Sequence, residues 1–296
     1  MNDDSAVRLA RARAALEGVA VGDSLGERFF GRPEDVAARI ARRELPQPPW
    51  RYTDDTEQAV HVVAELTAHG EIDPARLLAR LANGMTLDRG YGAATRDYLH
   101  DVRHGLRRLD DARLLFDGAG SCGNGAAMRA APVGAWHASD VERAIADAAR
   151  SALSTHTHPE GVAGAIAVVA AAALAAGESS LSGGAFLATV AQLTPPSAVR
   201  DGVERARLLV SATPEQAAAE LGSGREITAQ DTVPFALWAA AGSLDDYVGV
   251  FWRCVAGLGD RDTTCAIAGG ITASRVGMNG IPQAWREAHE PLPSQV

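Results

Sequence analysis

Lysine is missing from this 296-residue chain, so all 28 basic side chains are arginine, set against 37 carboxylates for a formal net charge of -9. Binding to a nucleic-acid backbone relies on clustered Lys and Arg, so the charge balance argues against strong nucleic-acid binding. Cysteine is scarce too. Cys122, Cys254 and Cys265 share no metal-ligand spacing and leave an odd number for disulfides, which fits reduced thiols in a cytoplasmic protein. The first residues, Met1 to Gly22, hold too many Asp and Arg side chains for the apolar region of a signal peptide. Long hydrophobic runs are likewise absent. The longest, Val162 to Ala176, falls short of the roughly 20 residues needed to span a bilayer and is mostly Ala, so it reads as a buried central helix and no membrane association is expected. No alternating run of Val, Ile, Thr and aromatics is long enough for a useful strand, which argues against a parallel sheet with crossover helices. No repeat of 20 to 50 residues persists, which disfavours a solenoid.

What is present is helical pattern. Val7 to Val21, Asp55 to Ala68, Pro74 to Ala82, Asp140 to Leu153, Glu160 to Ala176, Pro214 to Leu221, Pro234 to Ala241, Leu244 to Val255 and Cys265 to Val276 read as helices, most of them carrying Ala, Leu, Arg and Glu at helical periods. Loops such as Pro46 to Pro49 and Ser179 to Gly184 separate them, and no stretch reads as an interdomain linker. The expectation is one compact all-α domain over residues 1–296, with a core of about residues 7–286, monomeric by default.

Two acidic clusters stand about two hundred positions apart: Thr53-Asp54-Asp55 and Asp260-Arg261-Asp262-Thr263. Four carboxylates and two hydroxyls form an all-oxygen ligand set, which suits Mg2+ or Mn2+ rather than zinc. The residues alone leave helix capping open as the alternative. Asp54 and Glu57 have capping-box spacing, and in the second cluster Asp260 and Asp262 would point to one side of an extended loop while Thr263 opens a helix. Between the clusters, Gly118 to Arg129 forms a Gly-rich turn entering a helix, able either to cradle phosphate or simply to turn the chain. It lacks the Lys-Ser/Thr ending of a nucleoside-triphosphate loop. His156 and His158 precede the apolar helix and could hydrogen-bond a phosphate or ribose, or cap that helix. His61, His69, His100, His104, His137 and His289 read as ordinary surface or helix residues. Cys122 has no local partner to activate it, and no nucleophile elbow is present.

In order, Gly22-Asp23-Ser24-Leu25-Gly26, Thr53-Asp54-Asp55-Thr56, Ser121 to Arg129, Thr155-His156 and Gly259 to Thr263 resemble the motifs of the ADP-ribosylglycohydrolases, from about Val7 to Trp285. The resemblance implies a roughly orthogonal helical fold with two Mg2+ or Mn2+ ions at the base of a cleft. Thr53, Asp54, Asp55, Asp260, Asp262 and Thr263 would be their ligands, with Asp55 and Asp54 the catalytic carboxylates. Ser121, Cys122, Gly123, Asn124, Gly125 and His156 would bind the diphosphate and adjoining ribose of ADP-ribose. The implied activity is hydrolysis of ADP-ribose from a modified acceptor, arginine first. The alternatives are an O-linked serine, metabolite or nucleic-acid acceptor, or ADP-ribose binding without turnover. One departure bears on the acceptor. Several family members carry an acidic residue after Gly-Asp-x-x-Gly and three further positions, where this chain has Phe30, with Glu27 and Glu34 on either side. The Glu27 to Arg32 segment is expected at the rim of the cleft.

Overall fold

The computed structural model describes residues 3–177, 181 and 183–293, so part of the expected loop from Ser179 to Gly184 lies outside the described residues. Sixteen α-helices follow one another among the described residues. They are α1 (Asp3–Glu27), α2 (Pro33–Ala41), α3 (Asp54–His69), α4 (Pro74–Gly84), α5 (Ala93–Arg103), α6 (Gly125–Met128), α7 (Ala131–Trp136) and α8 (Val141–Leu153), then α9 (Pro159–Ala176), α10 (Gly183–Leu193), α11 (Ala198–Leu208), α12 (Pro214–Leu221), α13 (Ala229–Ala241), α14 (Tyr247–Val255), α15 (Arg261–Val276) and α16 (Gln283–Ala288). Two isolated bridges, Trp50 with His289 and Gly123 with Thr228, are the extended pairings. The expected all-α class holds.

Local chemistry explains many boundaries. Asp73, Asp140, Ser197 and Thr213 each cap a helix by accepting the backbone N–H three residues on, satisfying one of the orphan donors of a first turn. The periodic helices emerge within a few residues of their expected limits, with larger differences at the starts of α13 and α15 and at both ends of α1. Helix α13 begins five residues early and runs through Pro234. Helix α15 begins at Arg261, so Asp262 lies in its first turn rather than in an extended loop. Helix α1 continues to Glu27, and the Gly-Asp-x-x-Gly segment is therefore helical. Helices α2, α5, α6, α7, α10, α11 and α16 lie outside the segments whose pattern reads as helical.

Helix α9 is apolar all round, and such a helix belongs in an interior. Residues 163–173 of α9 are almost entirely buried, surrounded by α6, α7, α8, α10, α11, α13 and α15. The other central contact is between α1 and α15. Gly18, Gly22 and Gly26 recur every fourth residue and so line one face of α1. A Cβ at Gly22 would overlap the Cys265 carbonyl, one at Gly26 the Arg261 carbonyl, and one at Gly18 the Gly269 carbonyl and Ala273 Cβ. The two backbones therefore lie in direct contact, and Tyr247 Oη locks the pair by donating to the Gly18 carbonyl at 2.7 Å.

Replacing Gly22 with Ala should cost about 1–3 kcal/mol through overpacking against a backbone that has no side chain to move aside. Urea unfolding would read this, and unchanged stability would show that α1 and α15 do not touch backbone to backbone.

Candidate active site

The glycine face of α1 delivers Asp23 to the start of α15, and α3 meets both at its own N-terminus. Asp23 is fully buried. It accepts from the backbone N–H groups of Thr53, at 2.9 Å, and Thr56, at 3.1 Å, and from the hydroxyls of Thr53, at 2.9 Å, and Thr56, at 2.5 Å. A carboxylate in this place complements the positive end of α3. Burial nevertheless pushes Asp23 up to about 6, against the lowering effect of these bonds.

The cap of α3 is Thr53, whose Oγ1 accepts from the Asp55 N–H. Asp54 therefore does not cap, and Glu57 is not its capping-box partner. Glu57 accepts instead from the Thr86 N–H at 2.9 Å and the Tyr91 hydroxyl at 2.7 Å. The Thr53 hydroxyl lies 2.9 Å from Asp23 Oδ1 and 3.1 Å from Asp55 Oδ2, yet it has one proton and serves one of them at a time. Asp54 Oδ2 accepts from Gln58 Nε2 at 2.9 Å. Its pKa is pushed up to about 7 by burial and then by Asp23. Burial, followed by Asp23 and Asp262, holds Asp55 well above the carboxylate range, and burial followed by Asp260 does the same for Asp262.

Carboxylate oxygens of Asp23, Asp55 and Asp262 lie within 4.8 Å of one another. Asp55 Oδ1 and Asp262 Oδ1 are buried without a hydrogen-bond partner. Orphaned buried acceptors are costly, and a divalent cation would satisfy both while balancing the clustered charge, so the donor set fits a metal ion. Asp260, at the N-cap position of α15, accepts from Asn124 Nδ2 at 2.7 Å.

The acidic cluster borders a cavity of about 700 Å3. Asp54, Asp55, Asp260, Asp262 and Thr263 line one part of it, and Ser121, Cys122, Gly123, Asn124, Gly125 and His156 another. Tertiary folding thus brings together every expected metal ligand and ADP-ribose-binding residue except Thr53, which is not in the cavity wall. The Gly-rich loop is held by its pairing with Thr228: Asn124 N–H donates to the Ile227 carbonyl at 3.1 Å, and Ala229 N–H donates to the Cys122 carbonyl at 2.9 Å. His156 is buried, its Nδ1 2.7 Å from the Thr155 hydroxyl. Burial, then the nearby Arg129, lowers its pKa to about 3, so the imidazole is neutral. His158 caps α9 by accepting the Glu160 N–H. His137 and His289, expected at the surface or along helices, are buried against Asp147 at 2.9 Å and Glu17 at 3.0 Å.

No part of the Glu27 to Arg32 segment lines the cavity. Phe30 is exposed, with the Arg261 guanidinium 4.4 Å from its ring centroid. Glu27 is exposed, and partial burial, then the charges of Asp23 and Asp260, raises its pKa. Asp23 is the principal residue that sequence reasoning left without a role. Its signal was the four-residue glycine spacing around it, which marks a helix face pressed against another backbone. Gly90, Gly92, Phe116 and Ile227 also line the cavity, and nothing in their local pattern marks them.

A family model described as ADP-ribosylglycohydrolase matches residues 4–294. The chain belongs to the ADP-ribosylglycohydrolase family. Human ADP-ribosylhydrolase ARH3 is 29% identical over 331 residues, covering 95% of this chain and 90% of that protein. ADP-ribosylarginine hydrolase Tri1 of Serratia proteamaculans is 26% identical over 169 residues, covering 52% of this chain and 44% of that one. A solved structure described as an ADP-ribosylglycohydrolase-related protein complex superposes with a TM-score of 0.67 at 27% identity, covering 96% of this chain and 94% of that chain. This ADP-ribosylglycohydrolase is accordingly a hydrolase of ADP-ribosylated substrates with the all-helical fold of its family.

The neutral His156 has a consequence for acid stability. Its folded pKa of about 3 lies below its ordinary value of 6.5, so the unfolded chain binds the proton first as pH falls. The stability it contributes is complete above about pH 6.5 and drains away toward pH 3. Relative to His156→Gln, the wild type should lose about 2 kcal/mol between pH 7 and pH 5. Chemical denaturation at both pH values checks this, and an unchanged difference would mean that His156 titrates normally when folded.

Proposed function

We propose that the cleft holds two divalent cations, Mg2+ or Mn2+, on Thr53, Asp54, Asp55, Asp260, Asp262 and Thr263, and that the enzyme frees ADP-ribose from a modified arginine side chain. The carrying observation is the pair of buried, unpartnered oxygens Asp55 Oδ1 and Asp262 Oδ1 converging with Asp23 at the cavity. Asp23 takes the part of a support, since its hydrogen bonds to Thr53 and Thr56 hold the start of α3 from behind. Cations bound there would supply Lewis-acid charge and make water more acidic.

In this reading Asp55 accepts the proton of a water attacking the anomeric carbon, and Asp54, fixed by Gln58, orients that water. The new C–O bond forms as the C–N bond to the guanidine breaks, and the leaving nitrogen recovers a proton. Asn124 holds Asp260 in register. The Ser121 to Gly125 backbone and the neutral imidazole of His156 hold the diphosphate and adjoining ribose, so that binding energy is used for orientation. The arginine acceptor is supported by the name of the Serratia relative. One observation favours an O-linked acceptor as the second reading. The Arg261 guanidinium sits over Phe30, outside the cavity wall but near Asp260 and Asp262, and its charge would oppose an approaching guanidinium but not a neutral acceptor.

A panel of arginine-, serine- and nucleic-acid-linked ADP-ribose, with EDTA and with Mn2+ restored, tests both readings. Arginine-linked substrate should release ADP-ribose with Mg2+ or Mn2+ and stop in EDTA. Turnover of only the serine substrate would decide for the second reading, and full turnover in EDTA would sink the metal. Asp55→Asn should lose about 100-fold or more in kcat while keeping its helical circular dichroism, on the scale expected of a general base; normal kcat would remove Asp55 from that role. Mg2+ with ADP-ribose should raise the melting temperature by mass action, and no shift would count against binding at this cleft.

A further inference from the structure

Thr53, Asp54 and Asp55 stand where the chain enters α3, and the position of this entry is set by groups far away in the chain. The Asp54 N–H donates to the Arg89 carbonyl at 2.8 Å. One residue before Thr53, the Tyr52 carbonyl accepts from Arg89 Nη1 at 2.8 Å, and the same guanidinium lies 4.0 Å over the Tyr52 ring centroid. Arg89 thus grips the loop through both its main chain and its side chain. The guanidinium is in turn held by Glu290, 201 positions on, through two near-parallel bonds of 2.7 and 2.8 Å. A two-pronged pair of this kind fixes orientation as well as distance.

Glu290 belongs to a short C-terminal strap that is itself tied down. Its N–H donates to the Trp50 carbonyl at 2.7 Å, and the Trp50 N–H donates to the Ala288 carbonyl at 2.8 Å. The ring of His289 reaches Glu17 on α1 at 3.0 Å. Just before the strap, Trp285 packs edge-on against Trp50, Tyr247 and Phe251. The strap therefore joins α1, which carries Asp23, to the segment that carries Thr53 to Asp55. Arg89 extends this link to the cavity wall, because Gly90 and Gly92 beside it line the cavity.

We infer that Arg89 and Glu290 are positioning residues for the metal-binding start of α3, clamping Tyr52 and Asp54 so that the carboxylates of α3 meet those of α1 and α15 at the spacing a divalent cation needs. The inference rests on the metal reading proposed above. The Arg89 side chain is 9% exposed and that of Glu290 31% exposed, so the pair is shielded enough to hold its geometry where an open surface pair would not. Neither residue lines the cavity. Their effect passes through the ligands, in the manner of outer-shell groups that orient metal-binding side chains.

The test is calorimetric titration of metal-free, full-length protein with Mn2+. Glu290→Ala and Arg89→Lys should each raise the Mn2+ Kd about 10- to 100-fold, the range for loss of such a supporting group. Glu290→Gln, which keeps one acceptor, should fall between them and wild type. Glu204→Gln, which breaks the exposed pair with Arg207 at 3.1 Å, should match wild type. At saturating Mn2+ the KM for ADP-ribosylated substrate should return to the wild-type value in Glu290→Ala. A lowered melting temperature with unchanged Mn2+ Kd in all three variants would make the pair merely structural and overturn the clamp. Should Glu290→Ala fail to fold, Glu290→Gln and Arg89→Lys decide the same question. A flat wild-type titration would instead bring down the metal reading and the clamp with it, an outcome distinct from a wild type that binds and variants that bind equally well.

Discussion

The direct backbone contact between α1 and α15 is the constraint on which the rest depends. Three glycines, one per turn and a fraction, remove every Cβ from the face of α1 that meets Arg261, Cys265 and Gly269. Only at that separation does Asp23, on the adjoining face of α1, come within reach of Asp262 in the first turn of α15. Larger side chains would fill the gap and part the two helices. The acidic cluster is thus a consequence of what the glycines lack.

A cluster of buried carboxylates opposes its own folding unless its charge is met. Here the protein meets part of the charge itself, through four donors to Asp23 and single donors to Asp54 and Asp260. It leaves one oxygen each of Asp55 and Asp262 unmet, and the raised pKa values of these two carboxyls express the cost of that choice. Strain of this sort concentrates where binding is to occur. The surrounding structure sustains it by rigidity: an apolar core around α9, an aromatic group at Trp285, and a C-terminal strap that fixes the approach to α3.

The cavity joins this acidic floor to the Gly-rich loop, which is positioned by backbone pairing with a segment about a hundred residues later. Neutral His156 beside that loop follows from burial and from Arg129, whose own guanidinium donates to Gln58, Ser151, Ser154 and Thr155. A strongly acidic end and a neutral end therefore share one cleft.

Much of this was legible in the chain. Periodic Ala, Leu and Arg spelled out the long helices, the missing strand pattern settled the all-α class, and the oxygen-rich character of the two acidic clusters pointed to a hard cation. Those properties are local, because helical periodicity and ligand chemistry belong to the residues themselves. Asp23 as a third buried carboxylate, the burial of His289 against Glu17, and the reach of Glu290 to Arg89 were decided only by tertiary structure. Each depends on which backbone a given face is pressed against. That is a property of distant segments meeting, and no window of sequence contains both partners.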